Sequence, residues 1–476
     1  MLVKDIYPDW QGNSIEVTQV TYNSQAIIPG AIFVALRGEN TDGHKYISDA
    51  VSRGAQVAIV EVVDESLDVP QIKVANTQAE LAVLAAHFYQ TLNSPMQFVG
   101  ITGTDGKTST ASIIEYLLAD QKSVGYIGTN GVRFADRVEP HTLTTPLAPE
   151  LHRIFSDMQK AEVDVVAMEV SSHALALHRV DTIDFDVAVF TNLTHDHLDF
   201  HGTFENYMAA KQLLFRGLGA DKTAIINIDD PYAKQFAAAT KAKVVYYGVN
   251  PKADYWAEAI EFDQFGSKFQ LHTPDEAYTV RTKLLATFNI YNIMAAIASG
   301  AALGLDIEKM IARIEMMPAV DGRMELINEG QPFAVVVDFA HASAALENVL
   351  KFARTITANK LYVVIGAAGA RDTIKRPVMG NVAVTNADVA VFTTDDPYFE
   401  DPDDIIDDMV AGMIATNYVR IVDRAEAIAY ALDQAGPGDC VVVAGRGNYD
   451  ILPIKGVDVH FNDIDFSREF LQKKYK

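Results

Sequence analysis

The stretch GITGTDGKTST, Gly100 to Thr110, decides how the rest of the chain is read. Gln97-Phe98-Val99-Gly100-Ile101 before it reads as the end of a buried strand. After it, ASIIEYLLAD places Ile113, Ile114, Leu117 and Leu118 on one helical face. Strand, glycine-rich turn and helix are the context a phosphate-binding loop requires. Backbone N–H groups of Thr102, Gly103, Thr104, Asp105, Gly106 and Ser109 would then cradle phosphates, with Lys107 neutralising charge and the Thr108 hydroxyl reaching a Mg²⁺. The spacing is a variant. The first glycine of G-x-x-x-x-G-K-[ST] falls on Ile101, leaving G-x-x-G-K-T from Gly103. The loop alone leaves a plain surface turn open.

The 476 residues exceed what one core accommodates, and about three domains are expected. Hydrophobic residues make up 49% and charged residues 21%, the profile of a well-packed soluble protein. A formal charge of −24 argues against a general nucleic-acid binder, whose footprint would be basic. One cysteine, Cys440, allows no disulfide within the chain and fits a reducing compartment. No apolar run reaches a membrane-spanning length, so a cytoplasmic protein is expected, without membrane insertion and as a monomer.

Three α/β units are expected, at 1–94, 95–318 and 319–476. In the first, AIFVAL (31–36) and GAQVAIVEV (54–62) read as strands and 77–89 as a helix. In the second, VDVVAMEV (163–170), FDVAVFTN (185–192) and TAIINID (223–229) alternate with helices, the pattern of a mostly parallel sheet covered on both faces. A third alternation, at 333–340, 360–369, 387–394 and 439–447, reads as a Rossmann-like sheet. The acids of DDPYFEDPDDIIDD (395–408) read as a loop entering a helix N-terminus.

TNLTHDHLDFHGTFENYMAAKQLLF (191–215) is the densest polar segment and follows a buried strand. Ligands of open α/β sheets sit beyond the carboxyl ends of the strands, so His195, Asp196, His197, Asp199 and His201 would share a crevice with the phosphate loop. Glu169 ends the strand of AMEVSSHAL. Hard oxygen ligands suit Mg²⁺, and Thr108, Glu169 and one of the histidines could supply them. The histidine spacing without a cysteine is poor for zinc. For each histidine a satisfied core imidazole stays open, and Lys211 taken alone reads as a solvated helix lysine.

Together these segments resemble the Mur ligase family of peptidoglycan synthesis, most closely its MurE branch. The resemblance rests on TGTDGKTST, LTTP (143–146), MEVSSHALALHRV (168–180), TNLTHDHLDFHG (191–202), AAKQLL (209–214), FNIYN (288–292), DGRME (321–325), DFAH (338–341), ARDTIKRP (370–377) and DRAEAI (423–428), in family order. It implies an N-terminal UDP-substrate domain, a central ATP-binding domain and a C-terminal amino-acid-binding domain. It also implies an ATP-dependent amide ligase that activates the D-Glu side chain of UDP-MurNAc-L-Ala-D-Glu as an acyl phosphate, which an incoming amine then attacks. By the resemblance Thr108, Glu169 and His197 hold Mg²⁺, Lys211 becomes a carbamate holding a second one, and Lys107, Glu169, His197 and Lys211 form the catalytic set. Asn192, Asn289, Arg323 and Asp338 would contact ATP, and Ser24, Thr144, Thr145, Ser171 and Arg179 the UDP-substrate. Ligands from two domains imply closure during turnover.

The amino-acid pocket implied by the resemblance comprises Arg371, Asp395, Asp396, Tyr398, Glu400 and Tyr449. Diaminopimelate-adding members carry D-N-P-R and a glutamate in G-K-G-H-E; here Tyr398 and Tyr449 occupy those positions. A buried substrate carboxylate without such partners would cost roughly 2–5 kcal/mol. Asp396, Glu400 and Asp401 offer negative charge for an ammonium, so L-lysine is expected, with ornithine or another diamino acid as alternatives. Other departures are Asp105 for asparagine, YNSQ for D-S-R, Ala344, Ala368, Ala370 and the GRG of GRGNY. They leave room for a diverged ligase with another acceptor, such as folylpolyglutamate synthesis, or a non-catalytic regulator of wall synthesis.

Overall fold

The structure, a computed structural model, describes residues 1–38, 41–140, 143–263 and 266–476. Three α/β layers follow one another along the chain. The first holds a parallel four-stranded sheet in sequence order, Gln19–Thr21, Ala31–Val34, Ala55–Val60 and Gln71–Lys73. Helix Thr77–Phe88 covers it, started by Asn76, whose side chain accepts from the N–H groups of Gln78 and Ala79. Small residues let that helix approach the next layer closely, Ala82 and Ala85 packing on Ala148. A buried relay reinforces the junction: His152 meets the Thr91 hydroxyl at 2.6 Å and that of Thr182 at 2.9 Å. Burial pushes the His152 imidazole down to about 4, so it stays neutral.

The second layer is an eleven-stranded sheet with Gln97–Thr102 inside it, between Val165–Glu169 and Val187–Phe190. Period two sorts these strands onto two cores. Val99, Ile101, Val165, Ala167, Val187 and Val189 pack under helices Lys107–Leu118 and Thr287–Ala302. Phe98, Val166, Met168, Ala188 and Phe190 pack on the opposite side. Both faces are covered, which is why the strands are apolar throughout. At the sheet edges lie antiparallel additions the apolar-run reading did not anticipate, Gly131–Phe134 with Arg137–Glu139, and Gly266–His272 with Ala277–Thr282. In Gly266–His272 buried side chains alternate with half-buried ones, and Ala277–Thr282 is largely exposed, so neither carries the continuous Val/Ile signature.

In the third layer six strands run in the order Glu325–Leu326, Ala334–Asp338, Cys440–Ala444, Leu361–Ile365, Val389–Phe392 and Tyr418–Arg420, with the first antiparallel. A buried ion pair closes one end: Arg424 reaches Asp463 at 2.7 and 2.6 Å and donates to the carbonyls of Thr394 and Ala444. Among the described residues no helix is long and apolar enough to cross a membrane.

Candidate active site

The strand Gln97–Thr102 delivers the chain into a turn that only glycine allows at two points. A Cβ on Gly103 would lie 1.8 Å from the Thr191 hydroxyl oxygen, and Gly106 adopts φ +84° to start helix Lys107–Leu118. Thr104, Thr108 and Ser109 are buried there, as is Thr102, whose hydroxyl has no partner among the described residues. Lys107 Nζ donates to the carbonyls of Gly103 and Thr104 at 2.9 and 2.7 Å. Burial lowers its affinity for a proton, opposed by Glu169 and Asp105. Asn192 grips the loop by both ends of its amide, accepting from the Asp105 N–H at 2.9 Å and donating to the Asp105 carbonyl at 3.2 Å. Burial drives the Asp105 carboxyl upward, while Lys107, His341 and Arg323 act against that rise. Burial wins, so these neighbours offset only part of the cost of a carboxylate in this loop.

Glu169 ends the neighbouring strand and is 0% exposed. Oε1 accepts from the Tyr126 hydroxyl at 2.9 Å and the Thr129 N–H at 2.8 Å. Oε2 accepts from the hydroxyls of Thr108 at 3.0 Å and Thr129 at 3.3 Å. These are all neutral donors. The third layer reaches in here: Arg323 stands 4.3 Å above the Phe339 ring and donates to the Thr108 hydroxyl at 3.1 Å. Asp338 supports that approach by accepting from the N–H groups of Met324 and Ala340, and burial pushes its carboxyl up.

Lys211 is 1% exposed, donates to the Gly103 carbonyl at 2.7 Å and sits 4.5 Å from the Tyr207 ring centre. The solvated reading of this lysine is therefore wrong. Burial, then Lys107, holds its ammonium well below the usual range. His197 adopts φ +53°, its ring edge-on to His173 at 4.8 Å and its Nε2 3.4 Å from Asp196. Burial lowers it to about 4. Among the described residues no three His, Cys, Asp or Glu side chains converge as a ligand set. Asn289 lies 1% exposed and holds the Leu285 carbonyl and the Asn292 amide, a brace for its own helix start.

Four of the expected UDP-substrate residues meet beyond the end of the Glu169 strand. The Thr145 hydroxyl donates to the Glu169 carbonyl at 2.8 Å and accepts from the Ser171 N–H at 3.1 Å. Arg179 donates to the Thr145 carbonyl at 2.9 Å, and its buried Nε has no partner among the described residues. Thr144 lies 3.2 Å from the Thr129 hydroxyl. Ser24 stands apart in the first layer, buried in a short turn and hydrogen-bonded to Asp49, whose carboxyl it holds low. Tyr22, also of the first layer, has its phenol raised by burial and by Glu150, with Arg179 acting against that rise. Sequence reasoning missed Tyr126 and Thr129, hidden because an apolar strand and its turn carry no motif.

The acidic run separates into distinct roles. Glu400 pairs with buried Arg376 at 2.8 Å, and Asp401 caps helix Pro402–Val410 by accepting from Asp403 N–H at 3.1 Å. These two acids, expected to face an ammonium, are engaged in holding the fold. Asp395 and Asp396 share one guanidinium, that of fully buried Arg446. Burial and the Asp395 charge push Asp396 up to about 6. Tyr398 adopts φ +52° with its ring 6.0 Å from the Arg371 guanidinium. Tyr449 packs edge-on against Phe339 at 4.8 Å, beside Arg323.

Comparison with known proteins agrees with this arrangement. Residues 101–300 match the Mur ligase middle domain, 322–447 the Mur ligase glutamate ligase domain, and 16–89 the catalytic domain of the Mur ligase family. The UDP-N-acetylmuramoyl-L-alanyl-D-glutamate–2,6-diaminopimelate ligase of Geobacillus kaustophilus is 43% identical over 97% of this chain and 96% of its own. That of Listeria monocytogenes is 38% identical over 97% and 95%. A solved structure of such a diaminopimelate ligase superposes with a TM-score of 0.72 at 29% identity, covering 100% of this chain and 99% of that one. An ADP complex of a MurF ligase from Thermotoga maritima shares the fold, with a TM-score of 0.67 at 20% identity over 96% and 97%. The chain belongs to the Mur ligase family.

Proposed function

We propose that this ATP-dependent amide ligase joins L-lysine to the D-Glu side chain of UDP-MurNAc-L-Ala-D-Glu in peptidoglycan precursor synthesis. The observation that carries the ligase reading is the junction where Arg323, from the third layer, meets Thr108 of the phosphate loop beside Glu169. Groups from two layers converge where a γ-phosphoryl group and an acceptor carboxylate must be aligned.

The carboxylate oxygen of D-Glu attacks the γ-phosphorus, ADP leaves, and an acyl phosphate forms. The neutral amine of the amino acid then attacks the acyl carbon, and phosphate departs from the tetrahedral intermediate. Lys107 and Arg323 face the phosphoryl oxygens and stabilise charge spread over them. Gly103, Gly106 and the first turn of the helix present N–H groups to the same oxygens. Thr144, Thr145, Ser171 and Arg179 orient the acceptor, and Ser24 with Tyr22 holds its nucleotide end. Asn192 fixes the loop, Asp338 fixes Arg323, and Asn289 braces the adjoining helix. A buried carboxylate met only by neutral donors fits a cation site, and Thr108, Glu169 and His197 would hold a Mg²⁺ that neutralises phosphoryl charge. Lys211 suits carbamylation, since its amine is buried, rests on a backbone carbonyl and is held below its usual proton affinity. Its carbamate would be an additional anionic ligand.

For the amino acid, Asp395 and Asp396 carry two charges against one Arg446. That surplus suits a distal ammonium, with Arg371 receiving the α-carboxylate. Tyr398 and Tyr449 offer a second carboxylate no cation. A second reading, diaminopimelate, is favoured by the named relatives, which add that amino acid. Phosphate release with UDP-MurNAc-L-Ala-D-Glu and each of L-lysine, L-ornithine and meso-diaminopimelate, with product masses, separates them. Turnover with lysine alone is expected. Turnover with diaminopimelate overturns the specificity reading, and silence with all three overturns the ligase reading.

A further inference from the structure

We propose that Tyr126 is a positioning residue for Glu169, held in place by a stack of Arg133 and Glu115 behind it. The proposal rests on the reading of Glu169 as a metal ligand. A glutamate's terminal torsion is broad, so only hydrogen bonds fix the plane of its carboxylate. Tyr126 and Thr129 N–H both donate to Oε1, at 2.9 and 2.8 Å, which leaves Oε2 turned toward the Thr108 hydroxyl of the phosphate loop. The approach is possible because residue 128 is glycine: a Cβ there would lie 2.2 Å from Glu169 Oε1 and 2.4 Å from the Tyr126 hydroxyl oxygen. Tyr126 itself is 0% exposed and cannot swing away. Arg133 Cζ lies 3.8 Å from the centre of its ring, and its guanidinium is tied to Glu115 at 3.0 and 2.5 Å.

Glu115 belongs to the helix Lys107–Leu118, whose first turn carries Thr108. The contacts therefore form a closed circuit: helix to Arg133, to Tyr126, to Glu169, and back to the same helix through Thr108. A shift of the loop relative to the carboxylate has to break one of these links. The cation over the ring draws electron density from the phenol and strengthens its O–H as a donor.

Tyr126→Phe keeps the ring under Arg133 and removes only the donor. Mn²⁺ binding in the presence of ADP, followed by electron paramagnetic resonance, is expected to weaken about tenfold, the scale of one hydrogen bond to a charged group. The KM for UDP-MurNAc-L-Ala-D-Glu should stay at the wild-type value, while the urea midpoint falls modestly because a buried carboxylate loses one donor. Arg133→Met, which retains packing, should weaken Mn²⁺ binding about two- to threefold. Glu169→Gln separates the two readings. If it binds Mn²⁺ as wild type does, the metal-ligand reading fails. If it loses Mn²⁺ while Tyr126→Phe does not, the positioning role fails. Adding Tyr126→Phe to Glu169→Gln should cause no further loss, and additive losses would also overturn the proposal.

Discussion

The phosphate side and the amino-acid side of the cleft use charge in opposite ways. Around Gly103–Thr108, buried charged groups face one another with few ion pairs: Lys107 and Lys211 rest on backbone carbonyls, and Glu169 on hydroxyls and an N–H. Such groups are costly to bury and remain available to a charged ligand. In the third layer most charges are already paired, Arg376 with Glu400 and Asp408, and Arg424 with Asp463. The first region is arranged for chemistry. The second holds a frame in which few groups, chiefly Arg371 and the Asp395–Asp396 pair, are left to choose a substrate.

The largest effect should come from breaking the frame. Arg424→Met leaves Asp463 buried and unpaired and should cost roughly 3–5 kcal/mol in urea unfolding. A loss below 1 kcal/mol would mean the third layer does not depend on this pair. On the phosphate side, Lys107→Met should lower kcat by about 10²–10³-fold with little change in the unfolding midpoint. Equal losses of stability and rate would erase the contrast between the regions.

Asp396 tests the amino-acid side more finely. Its carboxyl is raised from 3.8 to about 6 in the folded protein, so the folded state binds the proton more tightly than the unfolded state. Its contribution to stability is therefore fully present below pH 3.8 and is lost as pH rises through about 6. Binding of an ammonium requires the ionised form, so the KM for lysine should fall as pH rises from 5 to 7. Asp396→Asn should raise that KM about tenfold at neutral pH, abolish the slope and slightly increase stability. The smallest effect belongs to Asp401→Ala, which should cost ~1 kcal/mol through the lost helix cap and leave the KM for lysine untouched. A raised KM there would return Asp401 to the pocket.

The comparison also explains what was legible beforehand. The phosphate loop could be read from its residues because its chemistry requires glycines, a lysine and a threonine at fixed spacing between a strand and a helix. The acidic run could not be apportioned in the same way. Asp396, Glu400 and Asp401 look alike in sequence, yet Arg446 meets the first, Arg376 the second, and a helix N-terminus takes the third. Arg446 lies 50 residues from Asp396 along the chain, so no local pattern links them. Tyr126 was equally hidden, since its hydroxyl meets Glu169 across 43 residues of chain.

The sequence by itself determined the three α/β layers, the phosphate loop and the family, because apolar runs, glycine spacing and ordered motifs are local properties of the chain. Only the tertiary structure decided that Lys211 is buried, that Arg323 reaches Thr108 from another layer, and which carboxylates are already paired. Burial and long-range pairing set the charge state of each of these groups, and both arise only once distant segments pack together.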